Sequence, residues 1–286
     1  MPEILWVLIS TGLFALIFAA AKFADGAVGT FQILFLRYIG STAVVVVIAR
    51  WSRPLRAYRS QTPGLHLIRA AFGCLAAASI TWASAHMPLA DASAIGMLYG
   101  VFAVALGVVL LGERIGRSQA VAVLISLAGA TVLMMGKGAF QTGLVIVPAL
   151  IALLSAMLMA SEGYLIRVLS QRDSAVTMML YIGMFGIGLM AVPAYYEWQP
   201  IGAGVYLMCF ALGPLAVLAQ YCTIRGYRSA PLSVVGPVDY SWLLFAIVIG
   251  WVSFGERPGG TVILGGGCII LGGIILCRRQ KVPPTR

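Results

Sequence analysis

The sequence predicts an all-α polytopic membrane protein, with ten transmembrane helices arranged as two inverted five-helix repeats. Three observations predict it. The 286-residue chain is 61% hydrophobic and only 10% charged, with mean hydropathy +0.98. Soluble domains carry roughly 25% charged residues, so this chain lacks the polar side chains to cover a water-facing surface. Its apolar residues gather in runs of about 20, the length that crosses the hydrocarbon core of a bilayer. The chain also repeats itself at a shift of 143 residues: Gly112-Glu113-Arg114 recurs as Gly255-Glu256-Arg257, Pro88-Leu89 as Pro231-Leu232, Phe102-Ala103 as Phe245-Ala246, Gly107 as Gly250 and Gly129 as Gly272.

The first run gives a helix over 4–21; Lys22 follows it in place of a small-residue cleavage site, so it is expected to remain as a span. The second, 31–49, carries Arg37 within its apolar stretch and gives way to a basic segment. The third covers 67–86. The fourth, 91–111, opens after Pro88, a helix-start signal, and carries Ala92, Gly96 and Gly100 at every fourth position. Such a small-residue stripe permits close helix packing or a substrate void. The fifth covers 118–136. The second half repeats the series over 144–166, 176–196, 204–224, 232–253 and 260–277. Its ninth helix contains Pro237, which cannot donate to the Ser233 carbonyl. A carbonyl released inside a membrane must find another partner. The repeat mate of Pro237 is Ala94, which is expected to leave the fourth helix intact. The two repeats occupy 1–143 and 144–286.

The net charge is +10. With the N-terminus inside, fifteen of the nineteen Lys and Arg residues, Arg69 among them, fall on the cytoplasmic side. Lys22, Lys137 and Arg257 fall outside, and Arg37 lies within a span. The positive-inside rule produces this asymmetry, and it puts both termini of a multi-pass membrane protein in the cytoplasm. Five spans is an odd number, so the second repeat enters the membrane upside down. Inverted repeats are a common build of secondary transporters, with the substrate at the repeat interface.

The scattered basic residues form no arm or motif for nucleic acid. Cys74, Cys209, Cys222, Cys268 and Cys277 form no CxxC and read as small apolar packing residues, so neither a disulfide framework nor a metal site is expected. There is no phosphate-binding loop and no nucleophile beside a base, and only two histidines, His66 and His86. An enzyme and a bound cofactor are therefore not expected. The expected partners are the lipid bilayer and a small-molecule substrate; a monomer suffices, since both repeats lie in one chain.

The segments PLADASAIGMLYGVFAVALGVVLLGERI and PLSVVGPVDYSWLLFAIVIGWVSFGERP, each closing a fourth helix, resemble the drug/metabolite transporter superfamily, EamA type. The resemblance covers essentially the whole chain, and within the superfamily is greatest to a bacterial amino-acid exporter of similar length. It implies the fold of that superfamily, a basket-like bundle with the third, fourth, eighth and ninth helices near the cavity and the fifth and tenth peripheral. It also implies export as the direction of transport.

Intramembrane charges are costly and are functional candidates by default. Arg37, Glu162 and Asp239 are the clear ones. Asp239 either binds a substrate ammonium or a proton, or pairs with Arg37 or with freed backbone N–H groups. Arg37 either stabilises the bundle or reaches a substrate carboxylate. Glu162, one turn before Arg167, favours a local pair. Glu113 and its copy Glu256 are expected to anchor helix ends. Aromatic residues near the breaks suit an aromatic or hydrophobic solute. The expected cavity wall is Phe14, Phe18, Tyr38, Trp82, Tyr99, Tyr240 and Trp242, with His86, Asp239 and Arg37 as polar members and Pro237 as the helix break. Tyr99→Ala is expected to reduce transport while leaving folded protein. The leading reading is a secondary transporter that exports small amphipathic metabolites, amino acids including aromatic ones, by alternating access. The alternative is proton-coupled efflux of lipophilic cations, which the lack of an acid between Glu3 and Lys22 counts against.

Overall fold

Inside a bilayer a lone apolar run can satisfy its own backbone only as a helix. The computed structural model describes residues 2–23, 28–87, 89–136, 146–255 and 259–278. Pro88, Lys137, Glu256 and Arg257 lie outside the described residues. The helices are α1 (Pro2–Phe23), α2 (Thr30–Ser52), α3 (Pro63–His86), α4 (Leu89–Gly96), α5 (Tyr99–Leu111), α6 (Arg117–Gly136), α7 (Ile146–Ser170), α8 (Ala175–Tyr196), α9 (Ala203–Ser229), α10 (Leu232–Asp239), α11 (Ser241–Phe254) and α12 (Gly260–Arg278). Their ends follow ordinary signals. Pro63 sits at the first turn of α3. The Ser174 hydroxyl caps α8 by accepting from the Thr177 N–H at 3.1 Å. Gly112 and Gly255 close α5 and α11 with φ of 65° and 68°, a left-handed turn that favours glycine.

Among the described residues, eight helical spans are long and apolar enough to cross a membrane, and the apolar helices Ile4–Ile17 and Gly260–Ile275 are shorter. Two of the eight, Asp91–Leu111 and Leu232–Ser253, are each made of two helices end to end. The outward faces are apolar: Val109, Leu207 and Val252 are all more than 70% exposed, as befits a lipid-facing surface.

The helix pairings come in matched sets. α3 packs on α7, and α9 on α1; α2 packs on α9, and α8 on α3; α1 packs on α11, and α7 on α5. α2 meets α8 and α6 meets α12, each pair being its own counterpart under the 143-residue shift. The α6–α12 crossing shows the correspondence at atomic scale. A Cβ on Gly129 would meet the Gly265 carbonyl at 2.7 Å, and one on its repeat mate Gly272 would meet the Ala122 carbonyl at 2.9 Å. Small residues on both helices let the backbones touch.

The fourth span is not intact. It breaks at Met97 and Leu98, between α4 and α5, opposite the break at Tyr240 between α10 and α11. Pro237 lies inside α10, three residues before the second break. At the first, the hydrogen bonds tighten without a proline: Gly100 N–H reaches Met97 O at 3.3 Å and Val101 N–H reaches Leu98 O at 3.0 Å, three residues back rather than four.

Candidate substrate cavity and its polar neighbours

A cavity of about 70 Å³ lies inside the bundle. α1 supplies Phe14; α2 supplies Arg37, Tyr38, Ser41 and Val45; α7 supplies Glu162; α8 supplies Met179, Ile182 and Gly183; α9 supplies Ala216, Val217 and Gln220. Helical spacing puts each set on one face, as with Arg37, Ser41 and Val45 at successive four-residue steps. A close crossing brings α2 to α9. Pro214 cannot bond the Phe210 carbonyl, and that carbonyl lies 2.8 Å from where a Cβ on Gly40 would stand. The Ser41 hydroxyl donates to the Gly213 carbonyl at 3.3 Å.

The wall is apolar and aromatic with one cation and one anion. The Arg37 guanidinium stands 5.7 Å from the Tyr38 ring centroid. Glu162 pairs with Arg69 of α3, Nε to Oε1 at 3.7 Å. Arg167, the partner expected for Glu162, instead donates to the Tyr227 and Arg228 carbonyls at 2.7 and 2.6 Å. Arg69, counted from sequence only among the charges of the cytoplasmic side, is 1% exposed inside the bundle. The signal was Pro63, which starts α3 four residues before 67 and draws Arg69 a full turn into the span.

Near this cavity the two broken helices brace each other. The Tyr240 hydroxyl donates to the Met97 carbonyl at 2.7 Å, and Met97 is its own repeat mate. The Tyr99 hydroxyl reaches the Gly236 carbonyl at 3.5 Å. At each broken span a tyrosine of the other half thus bonds a backbone carbonyl. The two rings meet edge to face, centroids 5.9 Å apart. Gly100 gives the Tyr240 hydroxyl its room, so the small stripe of the fourth span serves packing there. Asp239 does not pair with Arg37. Its carboxylate accepts from the Tyr227 hydroxyl at 2.9 Å. Glu113 anchors the second broken helix: its two oxygens accept from the N–H groups of Leu232 and Ser233 at 2.7 and 2.8 Å. A carboxylate at the start of α10 answers both the open N–H groups and the positive end of the helix dipole.

Of the expected wall residues, Phe14, Tyr38 and Arg37 line the cavity. Tyr99, Asp239 and Tyr240 gather at the helix breaks, and Trp242 packs beside the cluster of Met97, Tyr99 and Tyr240. Trp82 is 41% exposed and its ring stacks on His86 at 4.0 Å, away from the cavity lining. The Phe18 side chain lies outside what is described. Sequence reasoning missed Arg69, Tyr227 and Gln220, and also Asp91, which is fully buried in the first turn of α4. Of the helices that the resemblance placed near a cavity, this one uses α9, the eighth span, with α1, α2, α7 and α8 in place of the rest. Cys74, Cys209 and Cys222 are buried free thiols. Among the described residues no group of His, Cys, Asp or Glu could hold a metal.

An all-helical bundle with lipid-ready faces and a small polar–aromatic cavity is the build of a membrane carrier. The EamA-like transporter family profile matches residues 1–135 and 146–278, and the chain belongs to that family, whose members are transporters rather than enzymes. It is 27% identical to a riboflavin transporter of Vibrio cholerae, covering 93% of this chain and 90% of that one. It is 28% identical to the pseudopaline exporter CntI of Pseudomonas aeruginosa, covering 97% and 96%. A "probable terminal-alkyne amino-acid exporter" of Streptantibioticus cattleyicolor is 25% identical over 70% of this chain and 68% of that one. One solved crystal structure shares the fold with a TM-score of 0.83 at 20% identity, covering 98% of this chain and 99% of the other.

Proposed function

We propose that the protein is a ten-span secondary transporter of the bacterial cytoplasmic membrane, with both termini inside, that exports small amphipathic metabolites, foremost amino acids including aromatic ones. Its repeats are 1–143 and 144–286, inverted to each other, and they exchange conformations around a shared cavity. The observation that carries the substrate reading is the presence of a cation, Arg37, and an anion, Glu162, in the wall of one cavity with Phe14, Tyr38, Met179, Ile182 and Val217. A zwitterionic head needs a donor and an acceptor, and its side chain needs an apolar wall. The matched helix pairings and the reciprocal tyrosine bonds support the inverted-repeat reading, and the names of the exporter relatives support the direction. The likeness to an amino-acid exporter is part of this proposal. At about 70 Å³ the cavity is well below the roughly 300–1,000 Å³ of small-molecule sites, so substrate entry requires the surrounding helices to part. Alternating access around the two broken spans supplies that movement.

Glu162 in the cavity wall also favours a second reading, proton-coupled efflux of lipophilic cations, because it places an acid where a cation would bind. Counterflow separates the two. Purified protein in liposomes preloaded with an amino-acid mixture is expected to take up labelled phenylalanine without a pH gradient. No amino-acid exchange, together with gradient-dependent movement of tetraphenylphosphonium, would replace the first reading with the second.

A further inference from the structure

Arg69 is the largest fully buried side chain among the described residues. None of its guanidinium nitrogens has a hydrogen-bond partner among those residues. Its contact with Glu162, at 3.7 Å, is an ion pair too long to be a hydrogen bond. A buried guanidinium normally uses its five planar donors, often two at once on one carboxylate. Leaving them unused in a low-dielectric interior is expensive, and each such group in a native structure calls for an explanation.

The surroundings supply one. The ionisable neighbours of Arg69 include Glu162, Tyr38 and Tyr227, from three different helices, and His66 on its own helix. Glu162 and Tyr38 line the cavity, so Arg69 stands one layer behind its wall. One turn along α3, Gly73 offers no side chain. A Cβ there would stand 2.7 Å from Glu162 Oε2, so the Glu162 carboxylate lies against the bare α3 backbone beside Arg69. The other cavity cation, Arg37, rests against the Tyr38 ring. The 143-residue shift carries Arg69 onto Leu212 and Glu162 onto Ala19, so the pair has no counterpart in the other half. It is a polar feature of one side of the bundle only, as the binding of a single asymmetric head group requires.

We propose that the Arg69–Glu162 pair is the head-group site and stands in for a zwitterion in the empty protein: the substrate's carboxylate takes the free donors of Arg69, its ammonium takes Glu162, and the pair separates around it. This rests on the amino-acid reading above and names the residues that would enforce it. Discrimination follows directly. A substrate with both charges replaces both members of the ion pair, whereas an amine leaves Arg69 with no anion and a carboxylic acid leaves Glu162 with no cation.

The test is ligand-induced thermal stabilisation of the purified full-length protein, titrated with phenylalanine, phenethylamine and 3-phenylpropionate. The wild type is expected to bind phenylalanine most tightly. Arg69→Gln should weaken phenylalanine and 3-phenylpropionate about tenfold or more, while phenethylamine changes less than about threefold. Glu162→Gln should do the reverse, weakening phenylalanine and phenethylamine. Arg69→Lys keeps the charge but loses the planar fork, and should restore part of the binding of 3-phenylpropionate. Should Arg69→Gln fail to fold with Glu162 left unpaired, the Arg69→Gln/Glu162→Gln double variant removes both charges. It should bind the three ligands within about threefold of one another. A folded double variant that still prefers phenylalanine by the wild-type margin overturns the proposal, as does an Arg69→Gln protein with unchanged 3-phenylpropionate affinity. A wild type that binds none of the three sinks the amino-acid reading itself, and this proposal with it.

Discussion

The three phenols and the carboxylate at the helix breaks, Tyr99, Tyr227, Tyr240 and Asp239, act through burial. Tyr99 is 8% exposed and Tyr240 is fully buried, and each hydroxyl bonds a backbone carbonyl of the opposite broken span. In a membrane an unanswered carbonyl finds no water, which makes these bonds matter more than their number implies. The burial also revises the expectation that Tyr99→Ala leaves the protein intact. Removing a buried aromatic ring costs about 3–5 kcal/mol, so that variant should be poorly folded. Tyr99→Phe is the informative change: it keeps the ring against Tyr240 and should lower stability by only about 1 kcal/mol, read as the thermal midpoint in detergent. A wild-type midpoint would mean that the hydroxyl does not hold the Gly236 carbonyl.

At the scale of elements, the device that sets the geometry is the pair of interrupted spans. α10 has eight residues, too few to hold itself, and its start is fixed by Glu113 from the turn after α5. Gly112 makes that turn with a positive φ, and Gly107 leaves space for the carboxylate, since a Cβ there would lie 2.6 Å from Glu113 Oε2. Glu113→Ala removes two charge-assisted bonds and should cost about 2–4 kcal/mol. Glu113→Gln retains one acceptor and should cost less. Equal thermal stability of the three proteins would show that α10 is held by packing alone. A different device ties α3 to the α7–α8 turn: His66 Nε2 lies 2.8 Å from Asp173 Oδ2, which also accepts from the Ser60 hydroxyl at 2.7 Å. This fixes the start of the helix that carries Arg69.

For the whole molecule, the matched pairings of α1–α9 with α3–α7 and the two-sided glycine crossing of α6 and α12 give each half the same neighbours. If the two halves are inverted, as proposed above, the molecule passes between two states by exchanging their roles. The proposed orientation has a direct check. Alkaline phosphatase fused after residue 140 should be active, and a fluorescent protein fused at the C-terminus should mature in the cytoplasm. The opposite pattern would reverse the membrane orientation and with it the side from which the substrate is loaded.

The helical bundle, the ordering of its spans and the family were legible in the sequence, because apolar run length and a fixed repeat shift are local properties of the chain. The missing N–H of Pro237 was legible for the same reason, since it is a property of one residue, but the break falls three residues on, at Tyr240. The break at Met97 was not legible. No proline marks it, and what answers its carbonyl is a tyrosine 143 residues away. Glu162 was legible as an intramembrane charge, but its partner was not. The nearest basic residue in sequence, Arg167, turns to backbone carbonyls of α9, and the partner Arg69 comes from a helix that only the meeting of the two halves brings alongside. Run length and residue type decided what the chain becomes. Which charge faces which, and where the cavity opens, were decided by the packing of helices distant in sequence, because an unpaired polar group inside a bilayer takes the partner that the fold places within reach.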